Sequence, residues 1–191
     1  MLDLDRQVFD WINRWPDEWA PFFRFLSIGI KGLGLKIVFG VLAVGLLIWP
    51  KTRLATILAL LSWPLANGIT DLLKSFVPML RPSVDLASAI VRVEPLSSAG
   101  TASAHSANMA AVAMAFALNL GSWRGQDVRL RLIIAFWVLV AFLTGLSRIY
   151  VGVHYPYQVV LGWVVGCFAA WLVTLLGRVA VAKFQKPGSD G

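Results

Sequence analysis

The chain is poor in charge: Asp, Glu, Lys and Arg make up 14% of its 191 residues, against about 25% in a soluble globular domain. Beside a hydrophobic share of 58%, that shortage excludes an ordinary soluble fold and points to an integral membrane protein. A single cysteine, Cys167, excludes any intramolecular disulfide; inside an apolar run it reads as a small packing residue. Two histidines and that cysteine offer no spaced ligand set for a metal. Internal repeats are missing too, which weakens a transporter reading. No acidic residue stands between Asp127 and Asp190. The N-terminus is acidic and lacks a basic stretch followed by an apolar core, so no cleavable signal is expected.

What is present is organised by the membrane. The formal net charge is +7, but the basic residues sit at the ends of apolar runs. That distribution fits topology determinants and anionic headgroups, and no nucleic-acid partner is expected. Nine Trp and eleven Phe suit bilayer interfaces. In residues 1–30, Leu2, Leu4, Val8, Phe9, Trp11, Ile12 and Trp15 mostly follow helical spacing between charged positions, as in a helix lying on the membrane. Five candidate spans follow: Leu33–Trp49, Leu54–Leu73, Ser103–Leu120, Leu130–Leu146 and Tyr157–Leu176. The expected fold is all-α, a polytopic membrane bundle of about five transmembrane helices preceded by N-terminal interfacial helices. Its expected parts are the segment 1–30, a bundle over 31–180 and a flexible cytoplasmic tail over 181–191.

Lys and Arg in short loops set orientation. Lys51 and Arg53, then Arg124, Arg129 and Arg131, then Arg178, Lys183 and Lys186 all fall on one side, assigned to the cytoplasm together with the C-terminus. Lys31 and Lys36 argue mildly against this and are outweighed. The opposite, outer side receives the N-terminal segment, the loop of about Ser75–Ala102 and the connection Ser147–His154.

On that outer side chemistry gathers. Lys74 and Arg81 are seven apart, so a continuous helix would put them on one face about 10.5 Å apart, with a kink at Pro78. Ser103 can cap a helix whose first N–H groups, near Ala104, meet an anion. Arg148 closes one span, and His154 opens the next. Each residue alone has an ordinary explanation as a snorkelling flank, a plain cap or an interfacial histidine. Jointly, three cations suit a phosphate, and two histidines can divide nucleophile and proton-donor roles.

The ordered set Lys74-x6-Arg81-Pro82, Ser103-x-His105 and Ser147-Arg148-x5-His154 resembles the three-part signature of the type 2 phosphatidic acid phosphatase family, membrane lipid phosphatases related to vanadium haloperoxidases. The resemblance runs from the first span to the last. It implies phosphate binding by Lys74, Arg81, Ser103, Ala104 and Arg148, attack by His154 to form a phosphohistidine, and protonation of the leaving oxygen by His105. It implies no metal and no cofactor. It also implies a lipid phosphate or a polyprenyl diphosphate such as undecaprenyl diphosphate as substrate, hydrolysed at the outer face of a bacterial inner membrane.

Two residues depart from that pattern. Ala104 replaces a glycine, which narrows the backbone angles and brings a methyl close to the phosphate. Gln158 stands where the family places the aspartate that orients the nucleophilic histidine. Its amide oxygen can accept the His154 proton but adds no negative charge. In the serine protease triad the same exchange costs about 10⁴ in turnover. Asp71, Asp85 and Glu94 are the acids able to approach from the outer side, and Asp71, one turn before Lys74, is expected to pair with it. The sequence leaves open a lipid phosphotransferase and a catalytically weak lipid-phosphate-binding protein, and it leaves the oligomeric state open.

Overall fold

A computed structural model describes residues 3–29, 32–94, 98–120 and 127–184, with side chains to residue 180. Helices α1 (Asp3–Asn13) and α2 (Ala20–Ile28) flank one 3₁₀ turn, and α3 (Leu33–Ile48), α4 (Pro50–Phe76) and the short α5 (Pro82–Asp85) follow. The chain continues through α6 (Ala104–Asn119), α7 (Val128–Tyr150) and α8 (Pro156–Phe184), and the described residues contain no strand. Leu2, Lys31, Arg124 and the tail 185–191 lie outside the described residues, as do the side chains of 181–184.

The starts of the long helices are written in the sequence. Pro50 opens α4, where a missing N–H costs nothing. Asp127 caps α7 by accepting from Arg129 N at 3.0 Å, and Ser103 caps α6. Three helices, Pro50–Phe76, Val128–Tyr150 and the Pro156–Ala180 part of α8, are long and apolar enough to cross a membrane, and the α2–α3 pair adds a fourth if counted as one broken span. The α6 helix, one of the five candidate spans, has 16 residues, a length of about 24 Å. It forms the packed centre of the bundle, with Ala107, Ala111, Ala115 and Phe116 at 1% exposure or less.

The α6–α8 contact is tight because both helices put small residues at it. A Cβ on Gly162 would come within 2.5 Å of the Ser103 carbonyl oxygen, and one on Gly166 closer still to that of Ala107. This is the small-xxx-small packing used where lipid leaves no hydrophobic drive between helices. The Gly166→Leu variant must push the two helices apart, and a loss of about 3 kcal/mol or more is expected. Thermal unfolding in detergent measures it.

The N-terminal helices do more than lie beside the bundle. Asn13, 1% exposed, donates to the carbonyls of Ile90 and Tyr150 at 2.9 Å each and accepts from Ile90 N at 2.8 Å. Arg92 pairs with Asp17 at 2.7 Å and lies 4.2 Å from the centre of the Tyr150 ring. Asp5 accepts from Tyr157 N at 2.8 Å and so caps the start of α8 with a carboxylate. These contacts root α1 and the 3₁₀ turn on the end of α7, the start of α8 and the 90–92 segment.

Candidate active site

The α7–α8 turn is short because Gly152 takes φ +81°, a left-handed angle; a Cβ there would also stand 2.5 Å from the Ile90 carbonyl oxygen. The carbonyl of Arg148 then accepts from both Val153 N and His154 N at 3.2 Å. One turn thus sets the arginine and the histidine of the Ser147–Gln158 stretch beside each other, buried at 2% exposure each.

Arg81 arrives from the other side. The seven-residue spacing predicts that α4 runs on through a kink at Pro78 to place it; the structure corrects this. Helix α4 ends at Phe76, with Val77 at φ −132°, ψ 73°, because a residue before proline is driven out of the helical region. The extended 77–80 segment is pinned by Thr101, whose hydroxyl donates to the Val77 carbonyl and accepts from Met79 N at 3.2 Å. Arg81 therefore does not depend on the face it would share with Lys74. Its Nε donates to Ser98 O at 2.7 Å, and Nη2 donates to Ser98 Oγ and Ala99 O at 3.0 Å each. Its Nη1 donates to Val153 O at 3.0 Å and stands 2.8 Å from His154 Nε2. Burial lowers the Arg81 pKa to about 10, so it remains a cation at neutral pH.

That contact decides the state of His154. A guanidinium only donates, so Nε2 must accept, and the imidazole proton sits on Nδ1. Nδ1 then donates to Gln158 Oε1 at 3.0 Å. The amide orientation is fixed independently, since Oε1 also accepts from Tyr155 N at 3.1 Å while Nε2 donates to Leu80 O at 2.9 Å and Tyr157 Oη at 3.0 Å. Gln158, 0% exposed, therefore has all its hydrogen-bonding positions filled. Burial first, then the charges of Arg148 and Arg81, hold the His154 pKa well below the ordinary histidine value. The ring is neutral, with its lone pair on Nε2.

Of the remaining candidates, Ser103 and His105 lie beside these groups. Ser103 caps α6, its Oγ accepting from Ser106 N at 3.3 Å and Ser106 Oγ at 2.9 Å. Its own N–H is taken by the Gln158 carbonyl at 2.9 Å, so Ser103 N is not a donor left open at the start of α6. His105, half-buried in the first turn of α6, is near enough for its charge to act on His154. Lys74 lies in the last turn of α4, and its ammonium pairs with Asp71 at 3.0 Å, as their spacing predicts. Asp85 accepts from Tyr155 Oη at 2.7 Å and so stands one residue from the nucleophile candidate.

Two contributors carry no motif. A Cβ on Gly100 would meet Arg81 Cγ and Gln158 Nε2 at 2.8 Å each, so the chain there must be bare. Ser27 of α2 accepts from Arg148 Nη1 through its carbonyl at 3.1 Å and through its hydroxyl. A lone serine in an apolar run is the only sequence signal of it.

A family model described as the PAP2 superfamily matches residues 51–181. The chain belongs to the PAP2 superfamily. It is similar to a lipid A 4'-phosphatase of Bacteroides thetaiotaomicron, 37% identical over 57 residues, which are 30% of this chain and 25% of that protein. The chain thus spans about a quarter of that relative's length in the match. Two solved PAP2-type folds overlay nearly the whole bundle. LpxE of Aquifex aeolicus has a TM-score of 0.72 at 24% identity, covering 91% of this chain and 96% of that one. The PAP2-type phosphatidylglycerolphosphate phosphatase of Bacillus subtilis has a TM-score of 0.70 at 21% identity, covering 92% and 85%. Family membership and fold agree with the resemblance read from the three motifs.

Proposed function

We propose that this PAP2 superfamily protein is an integral membrane phosphohydrolase that releases phosphate from a lipid phosphate or polyprenyl diphosphate at the outer face of the membrane. One observation carries the reading: a buried histidine whose Nε2 lone pair faces an arginine while Nδ1–H is held by Gln158. In the proposed cycle a phosphate oxygen takes the Arg81 Nη1 hydrogen bond that rests on His154 Nε2, which frees that lone pair. Nε2 bonds to phosphorus in line as the phosphorus–oxygen bond to the lipid breaks, and His105 protonates the departing oxygen. Arg81, Arg148, Lys74 and the amides from Ala104 onward stabilise the equatorial charge, and Ser103 adds its hydroxyl. Water then attacks the phosphohistidine, giving its proton to His105, and orthophosphate leaves. No metal enters either step.

The reading is tested by phosphate release from phosphatidate and from a polyprenyl diphosphate in detergent with EDTA present. Turnover by the wild type is expected, with Arg148→Ala lowering kcat/KM by about 10²–10³, the loss on removing one oxyanion-hole donor. Silence of the wild type on every lipid phosphate would refute it. Added acceptor lipids separate hydrolysis from phosphotransfer: phosphorylated acceptor would mark a transferase.

A further inference from the structure

We infer that Ser27 is a positioning residue for the phosphate site, acting through Arg148, from a segment that lies outside the residues the family model matches. The inference rests on the proposed phosphate-binding role of Arg148. Arg148 is 2% exposed and Ser27 0%. Ser27 takes Nη1 twice, through its carbonyl at 3.1 Å and through its hydroxyl. Arg148 Nε is buried and has no hydrogen-bond partner among the described residues. An arginine presents a planar set of donors, and Nε–H and one Nη2–H point the same way to form a two-pronged fork for phosphate oxygens. With Nη1 anchored on Ser27, the Nε–H and Nη2 edge is the one that α2 does not take.

A buried guanidinium with an unmatched Nε–H is costly by itself. A dianionic phosphate seated on the open edge of the fork would satisfy that donor and offset the cost. Without the Ser27 hydroxyl, one carbonyl bond still holds Nη1, but the plane of the guanidinium can rotate about that single bond. The fork then loses alignment, and affinity for phosphate falls while the nucleophile and its tautomer are untouched. Ser27 sits 121 residues from Arg148 in sequence, on a helix that contributes no charge to the site. Its effect is therefore on orientation alone.

The experiment compares wild type, Ser27→Ala and Ser27→Thr in detergent, using orthophosphate as the probe. Orthophosphate affinity is measured by calorimetry and as an inhibition constant, together with kcat, KM and the thermal midpoint. Ser27→Ala is expected to weaken orthophosphate binding and raise KM about tenfold each, with kcat changed less than threefold. Ser27→Thr, which keeps the hydroxyl, is expected to stay within threefold of wild type in affinity. A purely structural role would lower the midpoint and the active fraction yet leave KM and the inhibition constant unchanged; that result overturns the inference. So does an unchanged affinity in Ser27→Ala. Orthophosphate binding is read without turnover, so a wild type that binds but does not hydrolyse would refute the hydrolase reading and still decide the role of Ser27.

Discussion

Replacing His154 by alanine is expected to lower phosphate release by roughly five to six orders of magnitude, the scale seen when a catalytic nucleophile is removed from an enzyme whose parts act as a unit. The physical ground is the pair of contacts on its two ring nitrogens, Arg81 at 2.8 Å and Gln158 at 3.0 Å. They leave His154 neutral, with its Nε2 lone pair as the reactive group at the turn. The same variant is expected to keep its orthophosphate affinity within a few-fold, because Arg81 loses a competing acceptor and retains Ser98, Ala99 and Val153. Gln158 also retains Tyr155 N, Leu80 O and Tyr157 Oη, so the turn keeps its shape. A phosphate-release assay on phosphatidate with calorimetry on the same preparation measures both. Turnover surviving in His154→Ala would sink the mechanism.

The Gln158→Asp variant is expected to turn over faster than wild type, by ten- to a thousandfold, within the ceiling of about 10⁴ that an orienting carboxylate is worth in the serine protease triad. Attack by Nε2 leaves a positive charge on the imidazole, and an amide oxygen can accept its Nδ1 proton but cannot balance that charge. A carboxylate does both. The pH profile carries the sign. In wild type the His154 pKa is depressed, so the neutral nucleophile persists as pH falls through the ordinary histidine range, and the acid limb of kcat/KM lies well below 6.5. A carboxylate at 158 favours the imidazolium and raises that pKa, moving the acid limb to higher pH. Equal rates and superimposable profiles would show that residue 158 only holds the ring, and a wild type that binds lipid phosphate without turnover would favour the binding-protein reading.

Much of this arrangement is legible in the sequence because it depends on local rules. Apolar runs locate α3, α4, α6, α7 and α8, with ends off by up to eight residues, at α8, where charged side chains such as Lys51, Lys74 and Arg178 ride within helices. The Ser103 cap, the Asp71–Lys74 pair and the His154–Gln158 contact follow from spacings of three or four residues within one helix or turn. What cannot be read is long-range. Nothing near Ser27, Asp5 or Asn13 announces partners 121, 152 and 137 residues away. An amphipathic segment looks the same whether its apolar stripe meets lipid or another helix. The break after Phe76 escapes a reading in which Pro78 only kinks the helix, because it is the residue before the proline that leaves the helical region. Gly162 and Gly166 are two among sixteen glycines, and only the backbone of α6 behind them shows why they are bare.

The central claim is a bond between His154 and phosphorus, and the stereochemical course at phosphorus tests it most directly. With a phosphorothioate ester of a lipid alcohol, made chiral at phosphorus by oxygen isotopes and hydrolysed in water of the third isotope, two in-line displacements invert the centre twice. The phosphohistidine route predicts thiophosphate with overall retention of configuration; overall inversion would mean that water attacks directly, and it would contradict that route.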